Sequence, residues 1–364
     1  MSFEKSQNIA LIEFSERQHD IIYPQILLLN NLFENVFLWI NTKTALDESL
    51  IEGKVCIQKV DFYNRKIRLN FIRNFNNISE KYNINNVILN NAQGIFARDF
   101  ILKFLFRKIN IYGILHDTDK LKNSFTQKLI SLKIKKYFVL NDFVKDYCNK
   151  NFKNYKIESI YPCFINKKIR EFLNEDSINS DIITICIPGE IDQNRRDYKF
   201  LLNIISKNEI PENIKFIFLG TAVDDKGFEI INYIKRNNLE NKIRTFSKFI
   251  PEKLYYKTIF ESDIIATLIH PGLRYYTSYK EAKISGAYLS ALSFKKPLLL
   301  YEDFNKIEDF KEVSFFYNKN NFIDIINQIA QNKEIISIKE KAYLKLHKLD
   351  LNYQIMNLKR ALNC

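Results

Sequence analysis

Residues 264–301, IIATLIHPGLRYYTSYKEAKISGAYLSALSFKKPLLLY, contain the pattern that decides the fold of this chain. The uninterrupted apolar run 264–269 predicts a buried strand, and a polar loop follows it. Apolar and small side chains then recur at helical spacing, at Ile284, Ala287, Tyr288, Ala291 and Leu292. Residues 297–300 predict the next strand. Strand, loop, helix and strand in this order are typical of an α/β protein with a parallel sheet.

The beginning of this helix has the features of an anion site. Lys283, Ser285, Gly286 and Ala287 lie where free N–H groups and the positive end of the helix dipole are expected. Ser285 is a candidate N-cap, and Gly286 would let a phosphate approach the backbone. The preceding loop adds cations and hydroxyl groups, at Arg274, Lys280, Tyr275, Tyr276 and Tyr279. The alternative is an ordinary capped helix beneath a basic loop.

This segment resembles the diphosphate-binding loop of GT-B glycosyltransferases. In that loop a K-x-S step leads into a helix of small residues that ends in x-x-P before a strand, as 283–297 does here. The resemblance implies an α/β chain of the GT-B fold, with two Rossmann-like domains that face a central cleft and a helical C-terminal tail. It also implies a nucleotide-diphosphate sugar as the donor substrate, with no further cofactor.

The length and the alternation of strands and helices indicate two domains. At 364 residues the chain is long for one core. We predict an N-terminal, acceptor-side domain over 1–165, a polar linker over 166–181, and a C-terminal, nucleotide-sugar-binding domain over 182–335. A helix over 336–364 is expected to pack back towards the N-terminal domain, as the resemblance implies.

The composition is that of a folded, cytoplasmic protein. Hydrophobic residues make up 46% of the chain and aromatic residues 14%, which excludes global disorder. No apolar run has the roughly 18 residues of a membrane-spanning helix, and residues 1–14 lack the layout of a signal peptide. The five cysteines are scattered and never form a C-x-x-C pair, which favours free thiols over disulfides or zinc.

The formal net charge of +13 allows an anionic membrane surface or a phosphorylated substrate as a partner. A coding bias towards lysine explains the same excess without any partner. No nucleic-acid module is present, so no nucleic acid is expected. Helical patterns around 96–107 and 125–136 combine apolar stripes with repeated cations, and they could lie on the inner face of a membrane. The alternative is a core-facing stripe with a solvated basic back.

A second basic segment follows the first strand of the C-terminal domain. The sequence IPGEIDQNRRDY, at 187–198, contains Gly189, Arg195 and Arg196 and resembles the G-x-x-x-x-x-K/R region of retaining GT-B transferases. The resemblance assigns these residues to the donor diphosphate. Departure of a nucleoside diphosphate develops negative charge, which preplaced cations and N–H groups stabilise without a metal. Alternatively, the arginines are surface residues that pair with Asp192 or Asp197.

Three further residues complete the predicted donor site. Phe249 and Pro251 stand where the family cradles the nucleotide base, and His270 follows the apolar run of the quoted segment. The E-x7-E motif of retaining members is absent, because Ser290 occupies the position of its second Glu. Retention of configuration is therefore favoured over inversion only by the overall resemblance.

In the N-terminal domain, two His–Asp pairs follow predicted strands. His19 and Asp20 lie in a loop that resembles the His–acid pair of bacterial glycan-assembly transferases, and His116 and Asp117 lie in LHDTDKLKN, which resembles an H-D-x-x-x-L-R element. A His and a carboxylate could orient sugar hydroxyls or deprotonate an acceptor. Alternatively, these histidines cap helices or bond to the backbone.

These observations predict a metal-independent glycosyltransferase that moves a sugar onto a hydroxyl of a bacterial surface glycan or a lipid-linked oligosaccharide. A nucleotide-sugar 2-epimerase of the same fold is one rival. A non-catalytic protein that binds polyanions or membranes is the other. The motifs do not specify the donor sugar, the base, the acceptor or the oligomeric state.

Overall fold

The computed structural model describes residues 6–16, 21–173, 181–207 and 209–362. Strands and helices alternate over the first part of the chain. The strands are β1 (Ser6–Glu13), β2 (Phe33–Asn41), β3 (Val55–Val60), β4 (Asn86–Leu89), β5 (Asn110–Ile114), β6 (Ile134–Val139) and β7 (Ile157–Ser159). The helices are α1 (Ile22–Leu32), α2 (Arg65–Lys81), α3 (Gly94–Phe104), α4 (Lys120–Asn123), α5 (Phe125–Ser131), α6 (Asp142–Asn151) and α7 (Lys167–Leu173).

The alternation continues in the second part. The strands are β8 (Ile183–Pro188), β9 (Ile214–Leu219), β10 (Ile243–Arg244), β11 (Ile264–Ala266), β12 (Leu298–Tyr301) and β13 (Ser314–Tyr317). The helices are α8 (Tyr198–Ser206), α9 (Asp225–Arg236), α10 (Glu252–Glu261), α11 (Tyr276–Glu281), α12 (Gly286–Phe294), α13 (Glu308–Lys311), α14 (Phe322–Gln331), α15 (Glu334–Ala342) and α16 (Leu351–Leu362). Short 3-10 helices span Glu48–Leu50, Glu302–Lys306, Tyr343–Lys345 and His347–Leu349.

The chain divides into two compact units. The first unit contains Met1–Lys168, Glu281–Ile284 and Asp350–Cys364, and the second contains Ile169–Lys280 and Ser285–Leu349. Lys283 therefore belongs to the first unit, although Ser285, two residues later, belongs to the second. In the first unit, α16 packs on α1, and its main chain accepts a hydrogen bond from Tyr112 at Leu362 (2.9 Å).

Each unit is built on one fully parallel sheet. The first has the order β3-β2-β1-β4-β5-β6-β7 and the second β10-β9-β8-β11-β12-β13. Numbered within its own unit, each sheet thus contains the 3-2-1-4-5-6 order of a Rossmann sheet. Ligands of such sheets bind where the order reverses, beside the carboxyl ends of the strands. That edge carries the loops after β1 and β4 in one unit and after β8 and β11 in the other.

Apolar strand sequences explain the two cores. Leu11 of β1 lies opposite Leu38 on one side and Ile88 on the other, and all three are buried. A parallel sheet covered by helices on both faces requires such near-continuous apolar strands. The cysteines within the described ranges are free thiols, as predicted, and most are buried. Among the described residues, no helix is both long enough and apolar enough to cross a membrane.

Several element boundaries differ from those predicted. The apolar run 264–269 predicted one strand, but β11 ends at Ala266 because Leu268 adopts a positive φ of 50°, which a strand cannot accommodate. The cationic helices are also shorter than predicted. α3 ends at Phe104 and α5 at Ser131, so their last cations lie in turns and in β6.

Candidate functional site

The loops after β4 and β5 meet at the carboxyl edge of the first sheet. These strands are neighbours, with Leu89 opposite Gly113, so Asn90 and His116 follow them side by side. His116 Nε2 lies 2.7 Å from the main-chain oxygen of Asn90. Since a carbonyl oxygen only accepts, Nε2 carries the proton and Nδ1 is the unprotonated nitrogen of the neutral ring.

His116 is neutral over the physiological pH range. Burial is the main cause that lowers the pKa of this imidazole to about 4, and the hydrogen bond to Asn90 opposes it only in part. The positive charges of Lys283 and Lys120 lower the pKa further. Nδ1 makes no hydrogen bond with the residues that the structure describes, so it is available as an acceptor.

Gln93 holds the His116–Asp117 turn in place. Its side-chain oxygen accepts the main-chain N–H groups of His116 and Asp117, each at 3.2 Å. Its side-chain nitrogen donates to the carbonyl of Asp117 at 2.6 Å. The carboxylate of Asp117 accepts the N–H of Asp119 at 3.2 Å. The sequence pattern did not identify Gln93 as a site residue. The signal that could have found it was its place in the polar loop after β4.

A buried polar chain supports Asn90. Glu13, the last residue of β1, is fully buried and accepts a hydrogen bond from the Asn90 amide at 2.6 Å. It also accepts the N–H of Ser15 at 2.6 Å. Gln25 of α1 donates to the Asn90 side-chain oxygen at 2.6 Å. These contacts fix the loop that carries the acceptor for His116.

The segment Glu281–Ile284 contributes Lys283 to the first unit. Buried Thr118 anchors this segment, because its hydroxyl donates to the carbonyl of Ala282 at 2.8 Å. Lys283 follows directly and is partly buried. Its effect on the pKa of His116 places its charge near that ring.

In the second unit, the loop after β8 is organised around Arg196. This guanidinium is 5% exposed and donates to the carbonyls of Pro188 (2.6 Å) and Glu190 (3.3 Å). Gly189 between them has a φ of +102°, and a Cβ there would lie 2.8 Å from Arg196 Nη2. Only glycine fits this position without strain. The two hydrogen bonds of Arg196 shape the loop.

Arg195, in contrast, remains partly exposed. Its Nε and Nη2 atoms donate to the hydroxyl of Tyr279 at 3.1 and 2.9 Å. Its Nη1 lies 3.6 Å from a carboxylate oxygen of Glu190. Of the two adjacent arginines, Arg195 is thus the one whose charge is accessible, and Tyr279 is a buried residue that positions it.

His270 lies at the centre of a buried network. Its Nδ1 is 3.0 Å from Asp197 and its Nε2 is 2.7 Å from the hydroxyl of Tyr317. Burial lowers the pKa of His270. Burial also opposes ionisation of Asp197, but hydrogen bonds from His270 and Lys319 outweigh it and hold the pKa of Asp197 below its usual range. Protein groups occupy both nitrogens of His270, which indicates that it positions the loop after β11.

Tyr276 belongs to a second small network. Its hydroxyl donates to the carboxylate of Asp303, which also accepts from Lys280 at 3.3 Å. Burial and this neighbouring carboxylate raise the pKa of Tyr276. The network joins α11 to the segment after β12. The sequence pattern had placed α11 in a loop, and it did not identify Asp303.

The beginning of α12 offers N–H donors for which the described part of the chain supplies no hydrogen-bond acceptor. Ser285 occupies the N-cap with extended backbone angles, but its side chain makes no capping hydrogen bond. The first N–H groups of a helix have no intrahelical partner. In α12 these include the N–H groups of Gly286 and Ala287. Gly286 is exposed, whereas Ser285 and Ala287 are buried. This arrangement is suited to an anion.

The remaining predicted site residues are Phe249, Pro251, His19 and Asp20. Phe249 is 65% exposed in the loop before α10, and Pro251 occupies the N-cap of that helix. His19 and Asp20 lie outside the described residues. Among the residues that are described, no group of three or more His, Cys, Asp or Glu side chains is placed to hold a metal ion.

No family model and no curated protein matches this chain, whereas solved structures do. HepE from Anabaena, in complex with UDP and glucose, has a TM-score of 0.69 at 12% identity and covers 98% of this chain and 100% of its own. Sucrose-phosphate synthase from Thermosynechococcus elongatus has a TM-score of 0.68 at 13% identity and covers 98% of both chains.

A glycosyltransferase from Rickettsia africae is similar over 99% of this chain and 98% of its own, with a TM-score of 0.63 and 16% identity. A proposed UDP-N-acetylglucosamine 2-epimerase from Listeria monocytogenes covers 93% of this chain and 91% of its own, with a TM-score of 0.55 and 12% identity. At such identities the likeness establishes the fold. The chain has the GT-B fold, and the resemblance to GT-B glycosyltransferases is confirmed at that level.

Proposed function

We propose that this protein is a glycosyltransferase that uses a nucleotide-diphosphate sugar as donor. The observation that carries the proposal is the beginning of α12, in a chain that has the GT-B fold. Lys283 precedes this helix, Ser285 at its N-cap makes no capping hydrogen bond, and its first N–H groups have no intrahelical partner. The UDP complexes of HepE are consistent with it. The acceptor would be a hydroxyl of a bacterial surface glycan or of a lipid-linked oligosaccharide.

The diphosphate would bind at the beginning of α12 and at the loop after β8. The N–H groups of Gly286 and Ala287, the hydroxyl of Ser285 and the charges of Lys283 and Arg195 would stabilise the negative charge that develops on the leaving group. The bond between the sugar C1 and the phosphate oxygen breaks, and its electron pair leaves with the diphosphate. The acceptor oxygen forms the new bond to C1, and its proton passes to a carboxylate of the first unit, for which Asp117 is the candidate. Phe249 would contact the base.

The first unit would bind the sugar and the acceptor. A neutral His116 with a pKa of about 4 is a weak base but a good hydrogen-bond acceptor at Nδ1. We therefore assign it to a hydroxyl of the donor sugar. Asp117, and His19 and Asp20 from the sequence pattern, are the remaining candidates for the acceptor. Retention of configuration is favoured by the overall resemblance, and analysis of the product anomer tests it.

Exchange of Lys283 for Ala tests this proposal. We expect sugar transfer from the preferred donor in a nucleotide-sugar panel to fall by about a hundredfold or more, since an electrostatic contact to the leaving group is lost. The melting temperature should be unchanged. Lys207→Ala, an exposed lysine after α8, is the matched control. Normal transfer by the Lys283 variant would contradict the assignment.

The 2-epimerase is a second candidate, since one such structure is similar to this chain. An epimerase converts the nucleotide sugar without any acceptor. Incubation with the donor alone separates the two activities, because a transferase then returns the same nucleotide sugar and an epimerase returns its C2 epimer.

A further inference from the structure

We propose that α3, α5 and the turns after them form a surface that binds an anionic lipid bilayer. The surface consists of exposed apolar side chains and cations of the first unit. Its use, delivery of the first unit to a lipid-linked acceptor, rests on the proposed function.

Five large apolar side chains on this surface face solvent, and we call them the apolar stripe. Their exposed fractions are 52% for Ile95, 44% for Leu102, 95% for Phe106, 74% for Phe125 and 64% for Leu132. Spacings of seven and four residues place the first three on one side of α3 and its turn, and a spacing of seven does the same for the last two. Large exposed apolar groups that cluster mark an interaction site.

Contacts between the two helices connect the segments that carry the stripe. α3 packs directly against α5. At their C-terminal ends, the ammonium group of Lys133 donates to the carbonyl of Arg107 at 2.6 Å. This bond joins the turn that carries Phe106 to the turn that carries Leu132.

The segments that carry most of the stripe are rich in cations and contain no carboxylate, and Asp119, which directly precedes one of them, forms an ion pair with Lys122 at 3.5 Å. Residues 102–108 and 120–136 contain nine lysines and arginines and no Asp or Glu. We call this set the basic rim, formed by Lys103, Arg107, Lys108, Lys120, Lys122, Lys128, Lys133, Lys135 and Lys136. The acidic residue that interrupts α3, Asp99, is neutralised by Arg68 at 3.5 Å and Arg98 at 2.7 Å.

The combination matches a lipid surface better than other partners. Nucleic acid would use the cations but leaves Phe106 and Leu132 in water. If two copies of this chain met at this surface, their basic rims would lie together and the like charges would repel each other. An anionic membrane accepts apolar side chains between its head groups while the lysines and arginines contact the phosphates.

Vesicle co-sedimentation of the full chain tests the proposal without any nucleotide sugar. The vesicles contain phosphatidylcholine alone or phosphatidylcholine with about a third phosphatidylglycerol. We expect binding to the anionic vesicles only, and a loss of about tenfold or more in affinity for the double variant Phe106→Ser, Leu132→Ser. The matched control is Phe228→Ser, Leu344→Ser, whose parent side chains are 55% and 70% exposed in the second unit.

A charge variant separates lipid binding from non-specific attraction. It replaces three rim lysines by Gln, at Lys103, Lys128 and Lys136. Its control replaces exposed lysines elsewhere, at Lys150, Lys207 and Lys235. We expect about a tenfold loss for the rim variant only.

Three outcomes would overturn the proposal. The first is no binding of the wild-type chain to anionic vesicles. The second is a loss in the charge variant with full binding by the stripe variant, which describes a general polyanion site. The third is a dimer of the wild-type chain that the stripe variant dissociates. Vesicle binding is measured without turnover, so this proposal and the proposed function can fail independently. An inactive chain can bind vesicles, and an active transferase can fail to bind them.

Discussion

At the scale of single residues, main-chain groups set the chemistry of His116. Its Nε2 donates to the carbonyl of Asn90, and no carboxylate is placed to stabilise a positive ring among its described contacts. Nearby lysine charges add to the effect of burial, so the pKa falls to about 4. The ring is therefore neutral and presents a lone pair at Nδ1.

This lowered pKa predicts a pH dependence of stability. Between the unfolded value near 6.5 and the folded value near 4, the unfolded chain binds a proton that the folded chain does not, so stability falls as the pH drops through this window. We expect His116→Gln to reduce that loss by about 3 kcal/mol, measured by urea denaturation at pH 7 and pH 4. His347→Gln, at an exposed position, is the control. An unchanged pH profile for the His116 variant would contradict the assigned environment.

The two adjacent arginines predict opposite phenotypes. Arg196→Ala leaves two loop carbonyls without their buried donor, so we expect a loss of about 2–4 kcal/mol in the free energy of unfolding. Arg195→Ala should leave stability within about 0.5 kcal/mol, since its side chain is partly exposed. It should raise KM for the nucleotide sugar.

Urea denaturation and steady-state kinetics on both variants check this prediction, and Arg196→Lys adds a further test. A single ammonium group cannot reproduce the forked geometry that reaches the carbonyls of Pro188 and Glu190, so this variant should remain unstable. If the Arg196→Ala protein were stable but no longer bound the donor, the roles assigned to Arg195 and Arg196 would be reversed.

At the scale of elements, α12 is the helix whose first N–H groups are assigned to the diphosphate. Proline is tolerated at the first helical position, where it removes only an unpaired N–H. Ser285 already has the extended backbone that precedes a proline, with φ −84° and ψ 139°. The position of Gly286 therefore allows one donor to be deleted without loss of the helix.

We expect Gly286→Pro to weaken binding of the nucleoside diphosphate by about tenfold or more, because one charge-assisted hydrogen bond is lost. Gly286→Ala keeps the N–H and should therefore bind more tightly than Gly286→Pro. Isothermal titration with UDP and other nucleoside diphosphates measures the difference, and the melting temperatures of both variants should match the wild type. Equal affinities of the two variants for the nucleoside diphosphate would contradict the assignment of the diphosphate to this helix.

At the scale of the whole molecule, two sheets with the Rossmann strand order carry the predicted residues on loops at strand ends. The first sheet places Asn90 and His116 side by side, and the second places the loops of Gly189 and His270 after neighbouring strands β8 and β11. The net charge of +13 is not spread evenly, since the basic rim contributes nine cations without a carboxylate.

The sequence by itself determined the alternation of strands and helices, the GT-B fold and the position of most loops. These depend on apolar periodicity and on the Lys283–Ser285 step, which are local. It missed short elements such as β7 and β13, and α11 within a polar stretch. It also extended β11 beyond Ala266, because hydropathy does not register a left-handed residue such as Leu268.

Only the tertiary structure decided what each side chain does. Arg195 and Arg196 are identical neighbours in sequence, yet one is partly exposed beside Tyr279 and the other is buried against loop carbonyls. His116 keeps a lone pair at Nδ1, whereas His270 has both nitrogens occupied by Asp197 and Tyr317. The physical reason is that burial depends on the packing of the whole unit and that partners such as Tyr279 and Tyr317 are distant in the chain, so local sequence cannot specify them.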